Sequence, residues 1–198
     1  MLTKAELLQP LAEHRRQNDV VVTTMGVVCP WERLSQSALD FASADSAMGH
    51  AADLALGIAM ARPDRRVICL NGDGSMLMSR GTLATIVESG ATNLILMVVE
   101  NRAYEITGGQ PVPGGGKLDF AAVARACGFP SVFAFVQAEA YDAALPSLLT
   151  ASGPVFVSVS VEAGNEGPIA RGPGEEAIYL RTSIAEWAVR FRMALANS

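Results

Sequence analysis

The sequence is poor in the features that mark nucleic-acid-binding and membrane proteins. Its 198 residues carry 15 lysines and arginines against 20 aspartates and glutamates, which gives a net charge of −5. Such an acidic balance argues against a nucleic-acid partner. The chain has no apolar run long enough to cross a membrane, and its N-terminus lacks a signal-peptide pattern. We therefore expect a cytoplasmic protein with no membrane partner.

Cysteine is also scarce. The three cysteines, Cys29, Cys69 and Cys127, are odd in number and widely spaced. This arrangement indicates neither a disulfide framework nor a metal cluster, and it is typical of a reducing compartment. Cys69 lies within an apolar run, so we expect it in the core.

Apolar runs alternate with helical segments along most of the chain, without internal repeats or low-complexity tracts. Half of the residues are hydrophobic, and the strand-like runs are continuous in Val, Ile and Leu, as expected when both faces of a sheet are covered. The pattern predicts an α/β fold, a doubly wound parallel sheet of about six strands. The predicted strands are 19–24, 40–44, 67–71, 94–99, 131–136 and 154–161, and the predicted helices are 4–17, 49–62, 75–89, 119–127, 138–151 and 182–197. We expect a single domain over 1–198, with its core at about 4–162 and a C-terminal loop and helix at 163–198.

Two loops interrupt this alternation. Residues 102–117 contain five glycines and two prolines, and a long Gly-rich segment after a central strand is typical of a functional loop or lid. Residues 164–176 form a second Gly/Pro/Glu loop, which we interpret as a flexible connector.

Polar residues follow two of the predicted central strands. Gly72-Asp73-Gly74 comes directly after one strand, and Asn101 ends the next apolar run. Parallel sheets bind ligands at the carboxyl ends of their strands, and carboxylate and amide oxygens suit Mg²⁺ that is shared with a phosphate. The glycines would let the backbone approach a diphosphate. The alternative is an ordinary turn at 72–74 and a helix-capping Asn101.

Several separate blocks of sequence now resemble one family, the thiamine diphosphate (ThDP) enzymes. The similarity is to phosphonopyruvate decarboxylase and to the β subunit of sulfopyruvate decarboxylase, and it covers roughly residues 4–162. The blocks that carry it are 20–26, 45–59, 63–67, 71–75, 100–110 and 120–128. Glu100 stands where many ThDP enzymes have an asparagine, but these two groups of relatives also tend to have an acidic residue there.

The resemblance implies a metal and diphosphate site. Asp73, the side chain of Asn101 and the main-chain carbonyl of Ala103 would ligate Mg²⁺. Gly74 and Ser75 would hold the diphosphate at the start of the following helix. Gly72, which precedes the aspartate, and Tyr104 are also expected to bind the cofactor.

The resemblance also implies a role for the segment before the helix at 49–62. Met48 would lie under the cofactor and force it into a V shape, and the carbonyl of Ser46 would bind the pyrimidine amino group. His50 is either an active-site residue or a helix N-terminal residue without chemistry. On residue type alone, a methionine before a glycine at a helix start is more often a packing residue, and only the place of Met48 in the family motif reverses that preference.

The implied activity is decarboxylation of a small 2-oxo acid to CO₂ and an aldehyde. ThDP enzymes need an activating glutamate from a separate pyrimidine-binding domain, for which 198 residues leave no room. We therefore expect a pyrimidine-binding α-type partner subunit, together with self-association and no decarboxylase activity of the chain alone. Two alternatives stay open: a carboligase subunit similar to acetolactate synthase, and a non-catalytic binding domain that retains the fold.

Overall fold

The computed structural model describes residues 1–43, 48–167 and 169–197. Within them, six parallel strands form one sheet in the order β2-β1-β3-β4-β8-β7, and a separate antiparallel pair, β5 and β6, lies outside it. The strands are β1 Val20–Thr24, β2 Asp40–Ser43, β3 Val67–Gly72, β4 Leu94–Glu100, β5 Ala103–Tyr104, β6 Gln110–Pro111, β7 Ser131–Phe135 and β8 Val155–Ser160. The helices are α1 Lys4–His14, α2 Met25–Glu32, α3 Ala51–Ala61, α4 Asp73–Met78, α5 Thr82–Ser89, α6 Phe120–Cys127, α7 Ala138–Thr150 and α8 Ile184–Asn197, with a 3₁₀ turn at Glu105–Thr107.

Both faces of the sheet are covered by helices. Successive side chains of a strand point to opposite faces, so Cys69 packs into one apolar cluster while Ile68 and Leu70 pack into the other. The first cluster contains residues of α3, α5, α6 and α8, and the second contains residues of α1, α2 and α7. The predicted doubly wound parallel sheet of six strands is confirmed, and Cys69 lies in the core as expected.

The strand order explains where a ligand site can form. The chain leaves β1 for β2 on one side and then returns to β3 on the other side of β1. Ligands of open α/β sheets bind at the carboxyl ends of strands that flank such a reversal. Here α2 begins at Met25 and α4 at Asp73, each directly after its strand. The first residues of both helices are therefore held at this edge of the sheet.

Three parts of the structure differ from the sequence prediction. The single helix predicted at 75–89 is wrong: Ser79 leaves the helical conformation, which separates α4 from α5. Helix α2 was not predicted, because Gly26, two valines and Pro30 disfavour a helix by their intrinsic propensities. The loop at 102–117 contains the β5–β6 pair and the 3₁₀ turn. Neither was predicted, because a segment with five glycines favours irregular structure. The predicted strand end at Ala44 lies outside the described residues.

The N-terminal segment is hydrogen-bonded to the chain at the carboxyl end of β8. The Leu2 amide donates to the Ser160 carbonyl (3.0 Å), and the Glu162 amide donates to the Leu2 carbonyl (2.8 Å). Thr3 and Glu6 cap the first turn of α1 reciprocally. Lys4 is thereby placed close to the carboxyl edge of the sheet. None of the helices in the described part of the chain is long and apolar enough to cross a membrane.

One asparagine side chain joins α3 to the sheet. The Asn93 amide nitrogen lies 3.0 Å from the carbonyl oxygens of Ala59 and Arg62 and 2.7 Å from that of Arg65. These carbonyls end α3 and form the turn before β3. Without the asparagine amide, they would lose their side-chain donor.

We expect Asn93→Ala to lower the free energy of unfolding by about 1–3 kcal/mol, because the three carbonyl oxygens would lose the hydrogen bonds from this side chain. Urea unfolding followed by circular dichroism measures this loss. Gln9→Ala is the matched control, since the Gln9 amide donates to the exposed Glu13. This variant should change stability by less than about 0.5 kcal/mol. Equal stability of the two variants would contradict the assignment.

Candidate functional site

A cavity opens at the carboxyl ends of β1, β3 and β4. It is lined by Lys4, Thr24, Met25, Gly26, Val27, Ser43, Met48, Gly49, Ala51, Gly72, Asp73, Gly74, Ser75, Val99, Asn101, Ala103, Tyr104, Glu105, Ile106 and Thr107. The structure thus brings together eight of the ten residues that the sequence singled out. Of the remaining two, Ser46 lies outside the described residues and His50 does not line the cavity.

The Asp73 carboxylate lies at the base of this cavity. It is the first residue of α4, and its side chain is buried. One carboxylate oxygen accepts from the Gly74 amide and the other from the Arg102 amide, both at 2.8 Å. Burial raises the pKa of Asp73 above its ordinary value, and the two backbone donors act in the opposite direction. The two amides fix the orientation of the carboxylate.

A tight turn at residues 101–103 connects Asn101 to Asp73 by hydrogen bonds. Arg102 adopts a left-handed conformation, with φ of 64°, which is uncommon for a residue other than glycine. This turn presents the Arg102 amide to Asp73, and the Ala103 amide donates to Asn101 Oδ1 at 3.1 Å. The side chains of Asp73 and Asn101 therefore contact the same three-residue turn.

The donor set of this turn suits a hard cation. It offers a carboxylate, an amide oxygen and main-chain carbonyls, the ligand types that Mg²⁺ prefers. Within residues 1–43, 48–167 and 169–197, no group of three or more His, Cys, Asp or Glu side chains is arranged to hold a metal ion. A cation at the turn would thus rely on neutral oxygens, and on oxygens of a bound ligand, besides Asp73.

Gly74 and Ser75 form the wall next to this turn. A Cβ atom on Gly74 would lie 2.3 Å from Cε1 and 2.8 Å from Cδ1 of Tyr104, so the aromatic ring rests directly on the glycine. The Ser75 hydroxyl is buried and has no hydrogen-bond partner among the described residues. Buried hydroxyls are normally satisfied. The residues present therefore fit a ligand with acceptor oxygens, such as the diphosphate of ThDP.

Met48 lies at the mouth of the cavity, and His50 lies outside it. The Met48 side chain lines the cavity and is 49% exposed, which is high for a large apolar residue. The His50 ring precedes α3 and contacts the carboxylate of Asp53, which also accepts from the Thr82 hydroxyl. Because 57% of the His50 side chain is exposed, within this chain the ring is a solvated hydrogen-bond partner of Asp53.

The polar or small cavity residues that sequence reasoning missed include Lys4, Thr24, Gly26 and Glu105. The Glu105 side chain is only 6% exposed and lies 2.6 Å from the Lys4 ammonium group. An acidic residue directly after Asn101-Arg-Ala-Tyr104, in an otherwise Gly-rich loop, could have suggested it. No local sequence pattern points to Lys4, because it lies 101 residues before Glu105 in the chain.

We expect Gly74→Ala to lower the free energy of unfolding by about 1–3 kcal/mol, because the methyl group overlaps the Tyr104 ring. In a Tyr104→Ala background, Gly74→Ala should instead raise the free energy of unfolding, because alanine is favoured over glycine in a helix by up to about 1 kcal/mol. Gly57→Ala is the matched control, since a Cβ there meets no atom within 4 Å, and it should stabilise both backgrounds equally. Urea unfolding of the full set measures the coupling. Independent effects would contradict the ring contact.

Comparison with known proteins places this geometry in a family. The model of the thiamine pyrophosphate enzyme C-terminal TPP binding domain matches residues 22–159; thiamine pyrophosphate is another name for ThDP. A phosphonopyruvate decarboxylase of Streptomyces viridochromogenes is 36% identical over 146 residues, which cover 74% of this chain and 34% of that protein. This chain thus spans about a third of the length of that relative.

Shorter relatives are matched over most of their length. The sulfopyruvate decarboxylase subunit beta of Methanothermobacter thermautotrophicus is 38% identical over 132 residues, which cover 66% of this chain and 68% of the relative. Among solved structures, a putative thiamin diphosphate-dependent enzyme from Mycobacterium smegmatis superposes with a TM-score of 0.70 at 22% identity, covering 81% of this chain and 32% of that one. By sequence and by fold, the chain belongs to the thiamine pyrophosphate enzymes and contains their C-terminal TPP-binding domain.

Proposed function

We propose that this chain is the ThDP- and Mg²⁺-binding subunit of a split 2-oxo acid decarboxylase of the sulfopyruvate or phosphonopyruvate type. One observation carries the proposal: Asp73, Asn101 and Ala103 meet on a single turn, beside the buried hydroxyl of Ser75, in a chain of this family. The relatives at 30–38% identity that support it are named as decarboxylases of these two types.

In this proposal, Mg²⁺ is ligated by the Asp73 carboxylate, Asn101 Oδ1 and the Ala103 carbonyl. An ionised carboxylate has about four lone-pair sites. The Gly74 and Arg102 amides use one site on each oxygen of Asp73, which leaves both oxygens able to accept a cation. The same amides hold the carboxylate in place before any cation arrives, so little ordering would accompany binding.

The diphosphate would lie against Gly72, Gly74 and Ser75. The Tyr104 ring takes up the space that a side chain at Gly74 would fill, and the Ser75 hydroxyl would gain the acceptor that it lacks. Tyr104, whose ring rests on Gly74, would contact the cofactor at the same wall. These residues bind and orient the ligand, and they take no part in proton transfer.

Met48 is proposed to support the V-shaped conformation of the cofactor. Its exposed thioether side chain faces the cavity, where a bound ligand would cover it. The proposed bond from the Ser46 carbonyl to the pyrimidine amino group concerns a residue outside the described part. An active-site role for His50 stays a prediction, and it would require a partner that covers the exposed imidazole.

The chemistry that ThDP supplies when bound is an electron sink for the carbanion left by loss of CO₂ from a 2-oxo acid. The contribution of this chain is to hold that cofactor in a fixed position and shape. The proposed products are CO₂ and an aldehyde. A carboligase would use the same binding residues, and the products formed from pyruvate and from sulfopyruvate distinguish the two reactions.

A second polypeptide is proposed to complete the site. Three of the relatives are named as subunit beta of sulfopyruvate decarboxylase, a name that points to a further subunit. The proposed α-type partner carries the pyrimidine-binding domain and its activating glutamate. Met48, Leu54, Met60 and Met78 are large exposed apolar side chains on or next to α3 and α4. Such surfaces are typical of interfaces, either with this partner or with a second copy of the chain.

We expect Asp73→Ala to abolish Mg²⁺-dependent binding of ThDP, because it removes the proposed carboxylate ligand. The loss should exceed the roughly tenfold to hundredfold effect of removing an outer-shell residue. Calorimetric titration of ThDP with and without Mg²⁺ measures it, and circular dichroism checks the fold. Asp64→Ala is the control, since Asp64 is exposed and pairs only with neighbouring arginines. Unchanged affinity in a folded Asp73→Ala protein would rule out the metal assignment.

We expect no decarboxylation of sulfopyruvate or pyruvate by the purified chain alone, in the presence of ThDP and Mg²⁺. Activity should appear on addition of the α-type pyrimidine-binding subunit of a sulfopyruvate decarboxylase, and it should disappear when the activating glutamate of that subunit is replaced. A CO₂-release assay and analytical sedimentation, alone and in mixture, measure activity and assembly. Robust ThDP-dependent decarboxylation by the chain alone would show that the split-subunit proposal is wrong.

A further inference from the structure

The carboxylate of Glu105 joins three distant parts of the chain inside the cavity. Its Oε2 atom accepts from the Lys4 ammonium group at 2.6 Å and from the Asn101 side-chain amide at 2.9 Å. Its Oε1 atom accepts from the backbone amide of Glu166 at 3.1 Å. A carboxylate with only 6% of its side chain exposed is stable when it is paired and hydrogen-bonded in this way.

The Glu105 carboxylate also has little freedom to move away. A Cβ atom on Gly164 would lie only 2.5 Å from its Oε1 atom, so the backbone there packs closely against it. On the other side, a Cβ atom on Gly26 would lie 3.8 Å from Oε2. The missing side chain of Gly164 thus leaves space that the carboxylate fills, and Gly26 lies within ordinary contact distance of it.

The partners of Asn101 distinguish the two ends of its amide group. The amide nitrogen donates to Glu105, and Oδ1 accepts from the Ala103 amide. The reversed amide would place its hydrogens against the Ala103 N–H and its oxygen against a carboxylate. Both contacts would then be repulsive, because a carboxylate only accepts and a backbone amide only donates. Glu105 and Ala103 therefore favour the same orientation.

We infer that Glu105 is a positioning residue, which fixes the Asn101 side chain so that its oxygen, and not its NH₂ group, faces the proposed Mg²⁺ site. The inference rests on the proposed function, since it concerns the metal assigned there. A metal ligand is commonly oriented by a hydrogen bond from its outer shell. Here the outer-shell group carries a negative charge, and Lys4 balances that charge.

Glu105→Gln tests the inference with little change in shape. The new amide can donate as well as accept, so position 105 no longer favours one orientation of Asn101, and only the Ala103 amide still does. We expect the dissociation constant of Mg²⁺, measured by calorimetry at saturating ThDP, to rise by about tenfold to a hundredfold. Glu166→Gln is the matched control, because it removes a nearby negative charge but keeps the backbone amide that Glu105 accepts from, and it should leave the constant unchanged.

A second readout uses the cofactor-free protein. The side-chain NH₂ resonances of Asn101, assigned by their loss in Asn101→Asp, should show one proton shifted downfield by the Glu105 carboxylate. Glu105→Gln should abolish that shift, and Glu166→Gln should preserve it. An Asn101 resonance that is identical in wild type and Glu105→Gln would overturn the inference.

Exchanging the two groups separates positioning from loss of charge. Asn101→Asp alone places two carboxylates in contact and should weaken Mg²⁺ binding. The double variant Asn101→Asp with Glu105→Gln keeps one carboxylate and one amide, and either oxygen of the new carboxylate can face the metal. We expect it to recover most of the affinity that Glu105→Gln loses. Failure to recover, in a double variant that is folded by circular dichroism, would contradict positioning.

Lys4→Met distinguishes positioning from a purely structural anchor. It removes the Lys4–Glu105 ion pair but keeps the carboxylate that orients Asn101, so stability should fall, while Mg²⁺ affinity should fall much less than in Glu105→Gln. Equal losses of affinity in Lys4→Met and Glu105→Gln would overturn the inference. Failure of the wild-type chain and of its complex with the α-type subunit to bind Mg²⁺ and ThDP would instead overturn the proposed function. Wild-type binding with an unaffected Glu105→Gln variant would overturn the role of Glu105 alone.

Discussion

The parallel register of β1, β3 and β4 is the constraint on which the site depends. Gly72 pairs with Val99 and Thr23 with Leu70, so the three strands end at one edge of the sheet. Asp73 is the residue directly after β3 and Asn101 the residue directly after β4. Their side chains meet on one turn because backbone hydrogen bonds align the strands. A slip of one residue would turn every side chain of a strand to the opposite face, and the core on both faces forbids it.

The charges around this edge are unusually one-sided. Asp73, Glu100 and Glu105 have largely buried carboxylates, and burial raises the pKa of Glu100, which accepts from the Ser158 hydroxyl. Among the described residues that line the cavity, Lys4 is the single cation, and it is already paired with Glu105. Arg102 lies close enough to act on Asp73 and Glu100 but does not line the cavity, so a diphosphate there would contact little positive charge. This balance favours an anionic ligand that arrives with a metal ion, and it agrees with a turn built from oxygen ligands.

The sequence allowed predictions for polar residues that come directly after a recognisable strand. Asp73 and Asn101 could be placed together because each follows a recognisable apolar strand, and parallel strands end at the same edge. Helix α2 could not be predicted, since Gly26 and Pro30 are poor helix formers and only packing against the sheet overrides that preference. The contact of Lys4 with Glu105 was equally out of reach, because pairing across 101 residues leaves no periodicity in the sequence. Local patterns thus predicted the cavity floor, whereas its oriented polar contacts required the tertiary structure.

The short N-terminal segment couples two regions that are far apart in sequence. Leu2 is hydrogen-bonded beside β8, and Lys4 reaches the buried carboxylate of Glu105. Local opening of α1 would therefore leave that carboxylate without its counterion. The loss would destabilise the loop that follows β4, because Glu105 belongs to it. Docking of α1 and order in the loop should therefore be coupled. By thermodynamic linkage, a ligand that orders the loop also protects the backbone amides of α1 from hydrogen exchange, even though most of that helix never touches it.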